Sequence, residues 1–205
     1  MIRRRTLDVS GLPDIDVSSQ EPIWWGQICL CCIEGAMFCI LIACYFYFRL
    51  SLDMWPPPGT QLPHVAIPTV TLILAIVSCL GSYRASEGAK KNERGAMLRG
   101  LLLNLALGCA FLILRGYAWY TLNFNWASDV HGSTVWTILG LHTMDATADL
   151  LFTAVLIVAL IFGRTGRSMR LAVHVDSVVW YFLVLIWIPL YIVIYWAPRF
   201  VGAPA

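Results

Sequence analysis

The sequence contains little charge, and this alone excludes most water-soluble folds. Charged residues make up 13% of its 205 residues and hydrophobic residues 59%, whereas a soluble domain has about 25% and roughly 45–50%. We therefore predict a membrane protein. At about 20 apolar residues per spanning helix, the chain has room for roughly five or six spans and for no large extramembrane catalytic domain.

Other absences restrict the function further. The net charge of +2 is too small to predict a nucleic-acid partner. The sequence has no nucleophile beside a base, no phosphate-binding glycine loop and no pair of haem ligands on facing helices, so we predict no catalytic residue and no cofactor held by this chain. It also lacks the internal repeat that would indicate an inverted-repeat transporter.

The seven cysteines do not form the pattern of a disulfide framework or a metal site. All of them lie in apolar runs, and Cys29, Cys31 and Cys32 fall on different helix faces. Cys32 and Cys39 are separated by one heptad and have no histidine beside them, unlike the ligands of a zinc site. We predict that the cysteines are small, buried apolar residues and that the chain has no metal site.

Apolar runs predict an all-α integral membrane protein with a bundle of five transmembrane helices. Residues 1–22 are polar, begin with basic residues and lack the apolar core of a signal peptide. They are predicted to form a cytoplasmic tail, and 198–205 an external one. Pro189 lies inside the last run and should kink it. Within the membrane domain, 23–197, the predicted spans are 23–48, 65–83, 96–120, 133–162 and 175–196.

The basic residues predict the orientation. Most of the 14 lysines and arginines fall on one side of the predicted spans, which places the N-terminus in the cytoplasm and the C-terminus outside. Arg115, about 7 Å from the outer end of the third span, should extend its side chain to the interface. The residues on the cytoplasmic side are Arg3, Arg4, Arg5, Arg84, Lys90, Lys91, Arg94, Arg99, Arg164, Arg167 and Arg170.

Glu34 is the first acidic residue predicted inside the bilayer. It follows Trp24 by ten residues, roughly 15 Å along a helix and close to the middle of a layer about 30 Å thick. A carboxylate there costs about 2.5–3.5 kcal/mol, so it should be protonated, paired or facing a polar cavity. Two interpretations remain open: a neutral carboxyl that packs against a neighbouring helix, or a site linked to proton movement.

The fourth span carries His142, Asp145 and Asp149 at a spacing that puts all three on one helix face. If one of these carboxyls faces Glu34, at least one of the pair should stay protonated near neutrality. A di-iron bundle would need paired Glu-x-x-His motifs, which are absent, so a membrane metalloenzyme is only a third alternative. His174 and Asp176 begin the fifth predicted span, where a cap or an interface role is expected.

Four segments together resemble subunit III of the haem–copper terminal oxidases. The first, at 24–59, has Glu34 in a span that ends in aromatics and Trp55-Pro56-Pro57. The second, at 85–98, has Ser86-Glu87-Gly88 before the third span. The last two, at 130–152 and 172–196, carry motif residues of the family's closing helices, namely Gly132, Ser133, Gly140, His142, His174, Val178, Val179, Trp180, Tyr195 and Trp196.

The chain departs from the family pattern at three positions. Asp145 replaces the family's second histidine, Asp176 stands one position before the usual aspartate at Ser177, and Ala118 replaces an acidic residue. A contact between the buried glutamate and two histidines therefore cannot be carried over intact. The resemblance indicates a divergent, five-span bacterial form that lacks the family's first two helices.

The resemblance implies a non-catalytic accessory subunit in the bacterial inner membrane, in contact with catalytic subunit I, other oxidase subunits and phospholipids. It implies that haem and copper belong to the partner and that this chain supports assembly and sustained proton uptake. Alternatives are a component of a nitric oxide reductase and a small proton-coupled transporter that uses Glu34, Asp145 and Asp149. Lipid head groups are expected at the basic residues Arg84, Lys90, Lys91, Arg94 and Arg99.

Overall fold

A computed structural model describes residues 22–58, 60, 62–122 and 124–200, which are helical apart from their connections, with no strand among them. The helices are α1 Pro22–Ser51, α2 Ala66–Lys90, α3 Arg94–Tyr120, α4 Val130–Ile161, α5 Arg167–Tyr191 and α6 Ala197–Phe200. Five helical segments are long and apolar enough to cross a membrane, the last running from Arg167 to Phe200. This confirms the predicted fold class. Of the predicted tails, 1–22 and 198–205, residues 1–21 and 201–205 lie outside the described residues, whereas Pro22 belongs to α1 and 198–200 belong to α6.

The last transmembrane segment contains an irregular turn after its internal proline. Pro189 has no backbone N–H, and the π-helical turn Ile192–Trp196 follows it before α6. The Ile192 N–H donates to the carbonyl oxygens of both Ile188 and Pro189. The sequence therefore predicts the place of the distortion, and the structure shows that its form is a π turn.

Helices α2 and α3 form a tight hairpin because glycines line their contact. A Cβ on Gly81 would lie 2.6 Å from the Asn104 backbone nitrogen, and one on Gly88 would lie 2.6 Å from that of Met97. Without an aqueous phase to drive helices together, close backbone approach at small residues is the main source of association within a membrane. These two helices are thus held by close packing from their turn to Gly81 of α2 and Asn104 of α3.

Helix α5 is central and α1 is peripheral. Half of the apolar window of the last transmembrane segment is buried inside the protein, against 11% for α1. The long helices that α1 contacts most are α4 and α5, and α5 also packs against α2. The buried anchors of α1 include Phe38 and Tyr45, both fully inaccessible. This arrangement leaves the first turns of α1 loosely packed on α4 and α5.

The cysteines are unpaired, and only Cys31 is buried. Cys29, Cys32, Cys39 and Cys109 are exposed on the outer surface of the bundle, so the prediction that the cysteines are buried is wrong for these four. The reason is that an apolar run in a membrane protein has a lipid-facing side, where small apolar residues are as well accommodated as in the core.

Candidate functional site

The main polar feature inside the membrane region is a cleft of about 350 Å³ between α1, α4 and α5, which we call the carboxyl cleft. It brings together the three predicted acidic residues and adds Asp176 from α5. The cleft is lined by Ile23, Gln27, Leu30 and Glu34 of α1, by Asp145, Ala148, Asp149 and Phe152 of α4, and by Val175, Asp176, Val179 and Leu183 of α5.

Glu34 and two carboxyls of the fourth span, which the sequence left only as a conditional pairing, line the same cleft. Glu34 lies within electrostatic range of both Asp145 and Asp149, and Asp149 lies within the same range of Asp176. Among the described residues, no three His, Cys, Asp or Glu side chains converge as the ligands of one metal ion would. The arrangement is a row of carboxyls along a cleft.

The carboxyls of the cleft differ in how well they are hydrogen-bonded. Thr153 Oγ1 donates to Asp176 Oδ1 at 2.9 Å and reaches Oδ2 at 3.2 Å. Asp145 Oδ2 and Asp149 Oδ2 are buried and have no hydrogen-bond partner within the described part of the chain. A buried polar atom without a partner costs roughly 1–3 kcal/mol. The cleft is therefore incompletely satisfied by this chain.

His142 does not share the cleft with the carboxyls, which corrects the predicted grouping of the three polar residues of the fourth span. Its ring packs between Phe38, Phe111 and Trp187, and its Nδ1 lies 2.9 Å from Arg115 Nη2. A guanidinium only donates, so Nδ1 accepts and the imidazole proton is on Nε2, which donates to the Leu183 carbonyl oxygen at 3.0 Å. One broad face of α4 therefore places His142 among aromatic rings and the two aspartates in the carboxyl cleft.

Arg115 is buried, and the prediction that it extends to the interface is wrong. Its side chain is 1% exposed. The guanidinium carbon lies 3.5 Å from the centroid of the Trp187 ring and 5.2 Å from that of Phe111. Aromatic faces stabilise a desolvated cation by up to about 2 kcal/mol or more. Arg115, His142, Phe111 and Trp187 thus form a closed cluster, which we call the arginine cluster.

His174 and Asp176 are internal residues of α5, because that helix begins at Arg167. The expectation of a cap is therefore wrong for both. The helix begins before the apolar run, because the polar residues that precede this run are also helical. His174 Nδ1 lies 2.7 Å from Ser86 Oγ of α2, and its ring stacks on Trp24 of α1 at 5.4 Å. This contact joins three helices at the end of the carboxyl cleft.

The predicted head-group residues surround a second pocket, of about 430 Å³, at the α2–α3 turn. Arg84, Lys91 and Arg99 line it together with Glu87 and Glu93. The other two predicted residues lie outside its lining. Lys90 pairs with Glu87 at 2.8 Å, and Arg94 donates to the Ile161 carbonyl oxygen at 3.1 Å.

Sequence analysis missed the roles of Arg115 and Thr153. Each had a signal in the sequence. Thr153 follows Asp149 by one helical turn, which places it on the same face as the acidic residues. Arg115 lies in an apolar run with aromatics at Phe111 and Trp119, and only the packing of α3 against α4 decides that it points inwards.

The comparisons with known proteins agree on one family. A family model described as cytochrome c oxidase subunit III matches residues 11–198. Cytochrome c oxidase subunit 3 of a Synechocystis strain is 24% identical over 176 residues, covering 83% of this chain and 74% of the relative. The Spodoptera frugiperda protein of that name is 27% identical over 144 residues (70% and 98%), and the Gadus morhua protein 28% over 204 residues (96% and 76%).

Proposed function

Because the chain belongs to the cytochrome c oxidase subunit III family, we propose that it supports assembly, phospholipid binding and sustained proton uptake in a bacterial respiratory oxidase. The chain is a multi-pass membrane protein and an accessory oxidase subunit that associates with other oxidase subunits. In the proposal its main partner is catalytic subunit I, which holds the haem and copper, and its location is the inner membrane. This chain then holds no redox cofactor.

The carboxyl cleft is the observation that supports a role in proton uptake. Ionisable residues inside a membrane are costly and are retained mainly where they serve ion or proton movement or pair with one another. Glu34, the acid of the family motif, is half-buried and lies in the cleft with three aspartates. We propose that Glu34, on the α1 side of this cleft, holds and releases protons close to the uptake path of the catalytic subunit.

The pocket at the α2–α3 turn supports the proposed phospholipid binding. Three of its lining residues, Arg84, Lys91 and Arg99, are basic, and each basic residue near an anionic membrane surface contributes about 1 kcal/mol to lipid attraction. A phosphate-bearing head group fits this chemistry. Phospholipid binding is measured as the phosphorus content of the purified complex. The wild type is compared with a variant that carries Arg84→Gln and Lys91→Gln.

Purification of the tagged chain in mild detergent tests the accessory role. We expect a haem–copper oxidase to co-purify and to be visible in the absorption spectrum. Purification without any haem protein would contradict the proposal.

The proton role is tested with Glu34→Ala in the assembled oxidase. We expect normal assembly but a shorter active lifetime during continuous turnover, because proton delivery to the catalytic subunit falls behind. Gln27→Ala is the matched control, since it changes the same cleft wall without removing a carboxyl. Wild-type turnover of Glu34→Ala over many cycles would leave Glu34 as a packing residue.

A further inference from the structure

The carboxyl cleft contains acid groups without a matching cation. Its described lining includes four carboxyls and one amide, and no lysine, arginine or histidine. Two basic side chains of the bundle are engaged elsewhere: His174 contacts Ser86 and Trp24, and Arg115 contacts His142 and Trp187. The cleft therefore lacks the charge partner that buried carboxylates need.

Asp149 is the clearest case of a buried carboxyl without a complete set of hydrogen bonds. Its side chain is 7% exposed, it lines the cleft, and its Oδ2 has no hydrogen-bond partner in the described structure. Asp145 Oδ2 is in the same condition. Both aspartates line the cleft, so an occupant there would offer hydrogen-bond donors to carboxyls that this chain leaves incompletely bonded, a costly condition for a buried group.

The walls of the cleft include exposed apolar residues. Buried residues of α5, including Val175 and Leu183, line its inner side. On the α1 and α4 sides, Leu30 and Phe152 are 46% and 44% exposed. An occupant that enters past these two side chains would come from the surrounding lipid or from another membrane protein.

We propose that a lysine or arginine on a transmembrane helix of a partner oxidase subunit enters the cleft between α1 and α4 and pairs with Asp149 and Asp145. The inference rests on the proposed function, because it requires the oxidase complex. The aliphatic stem of such a side chain packs on Leu30 and Phe152, and its charged head supplies the donors that the two aspartates lack. Charge complementarity inside the membrane thus fixes where the partner helix docks.

Neutralising the two aspartates tests the pairing. In the complex with Asp145→Asn and Asp149→Asn, we expect a several-fold loss of the catalytic subunit retained per tagged chain as a denaturing detergent is added. Asp53→Asn is the matched control, because Asp53 is an exposed carboxyl in the connection after α1. Retention equal to that of the wild type overturns the proposal.

Photo-crosslinking identifies the occupant of the cleft while its carboxyls are left unchanged. A photoreactive phenylalanine analogue at Phe152, on the α4 side of the cleft, should give an adduct with a partner subunit in the intact complex. The same group at Leu151, which is exposed but does not line the cleft, is the control and should give lipid adducts. Adducts with lipid alone from Phe152 overturn the proposal. If no oxidase co-purifies with the wild-type chain, the proposed function fails, and that outcome is distinct from either result above.

Discussion

Helix α4 takes part in two polar groups of residues that differ in how the chain encloses them. In the arginine cluster, both ring nitrogens of His142 are hydrogen-bonded, and aromatic rings cover the Arg115 cation, whose Nε and Nη1 have no hydrogen-bond partner among the described residues. In the carboxyl cleft, one helical turn further along, Asp176 accepts a hydrogen bond from Thr153, whereas Asp145 Oδ2 and Asp149 Oδ2 have no partner among the described residues. One group stabilises the bundle, and the other is left open at its surface.

The difference follows from the helices on either side of α4. Towards α3 and α5 the bundle is closed, and the rings of Phe111 and Trp187 cover the Arg115 atoms that no hydrogen bond reaches. Towards α1 the packing is loose, because that helix is anchored mainly through Phe38 and Tyr45. The carboxyls on that side line an open cleft, where another molecule can supply hydrogen-bond donors. The comparison predicts a graded effect of mutations on the stability of the isolated chain.

The largest effect is expected for His142→Leu in the arginine cluster. The substitution removes the acceptor for Arg115 Nη2 and leaves a buried cation with no hydrogen-bond acceptor from this side chain. We expect the free energy of unfolding to fall by about 3 kcal/mol. Equilibrium unfolding of the purified chain in mixed micelles, followed by tryptophan fluorescence, measures it.

Met144→Leu is the control for that variant. Met144 is two positions away on the same helix and is 62% exposed, so its replacement should leave stability within about 0.5 kcal/mol of the wild type. Equal losses for the two variants would show that the arginine cluster does not stabilise the bundle.

An intermediate effect is expected for Thr153→Val at the floor of the cleft. Valine has nearly the same shape, but it cannot donate to Asp176, which is then left without its donor. We expect a loss of about 1–2 kcal/mol in the same unfolding measurement. Thr147→Val is the matched control, because the Thr147 hydroxyl donates to the Thr143 carbonyl oxygen of its own helix at 2.7 Å. A loss no larger than the control's would contradict the role of the Thr153–Asp176 bond.

Much of the fold could be predicted from the sequence because a bilayer imposes one simple rule. Every spanning segment needs about 20 apolar residues in a helix, so length and composition predict five helices. The helix ends were less predictable. The α5 helix extends back to Arg167, and no apolar run marks that extension because interfacial helix turns are polar.

The site was predictable in its acids and not in its pairings. The spacing of Asp145 and Asp149 puts them on one face, and the depth of Glu34 puts it at a similar level of the membrane. The same spacing could not separate His142 from the aspartates, because one helix face is broad enough to contact two neighbours. Which neighbour each side chain meets depends on the helix order around α4, and the sequence carries no local signal for that order.

The smallest effect is expected for Asp149→Asn in the isolated chain, and it gives the sharpest contrast with the arginine cluster. Asp149 Oδ2 has no hydrogen bond to lose, and Asp176 and Glu34 lie within electrostatic range of it. Removing one of several neighbouring carboxyls should therefore leave the free energy of unfolding unchanged or raise it by up to about 1 kcal/mol.

Asp53→Asn provides the baseline for this measurement, since an exposed carboxyl should change stability by less than about 0.5 kcal/mol. A loss above about 1 kcal/mol in Asp149→Asn would mean that the residue already has a partner within its own chain. Two results together would show that the two polar regions of α4 have different roles. One is a neutral or stabilising effect of Asp149→Asn, and the other is weaker retention of the partner subunit when both aspartates are changed. His142 would then serve the folding of this chain, and Asp149 the assembly of the complex.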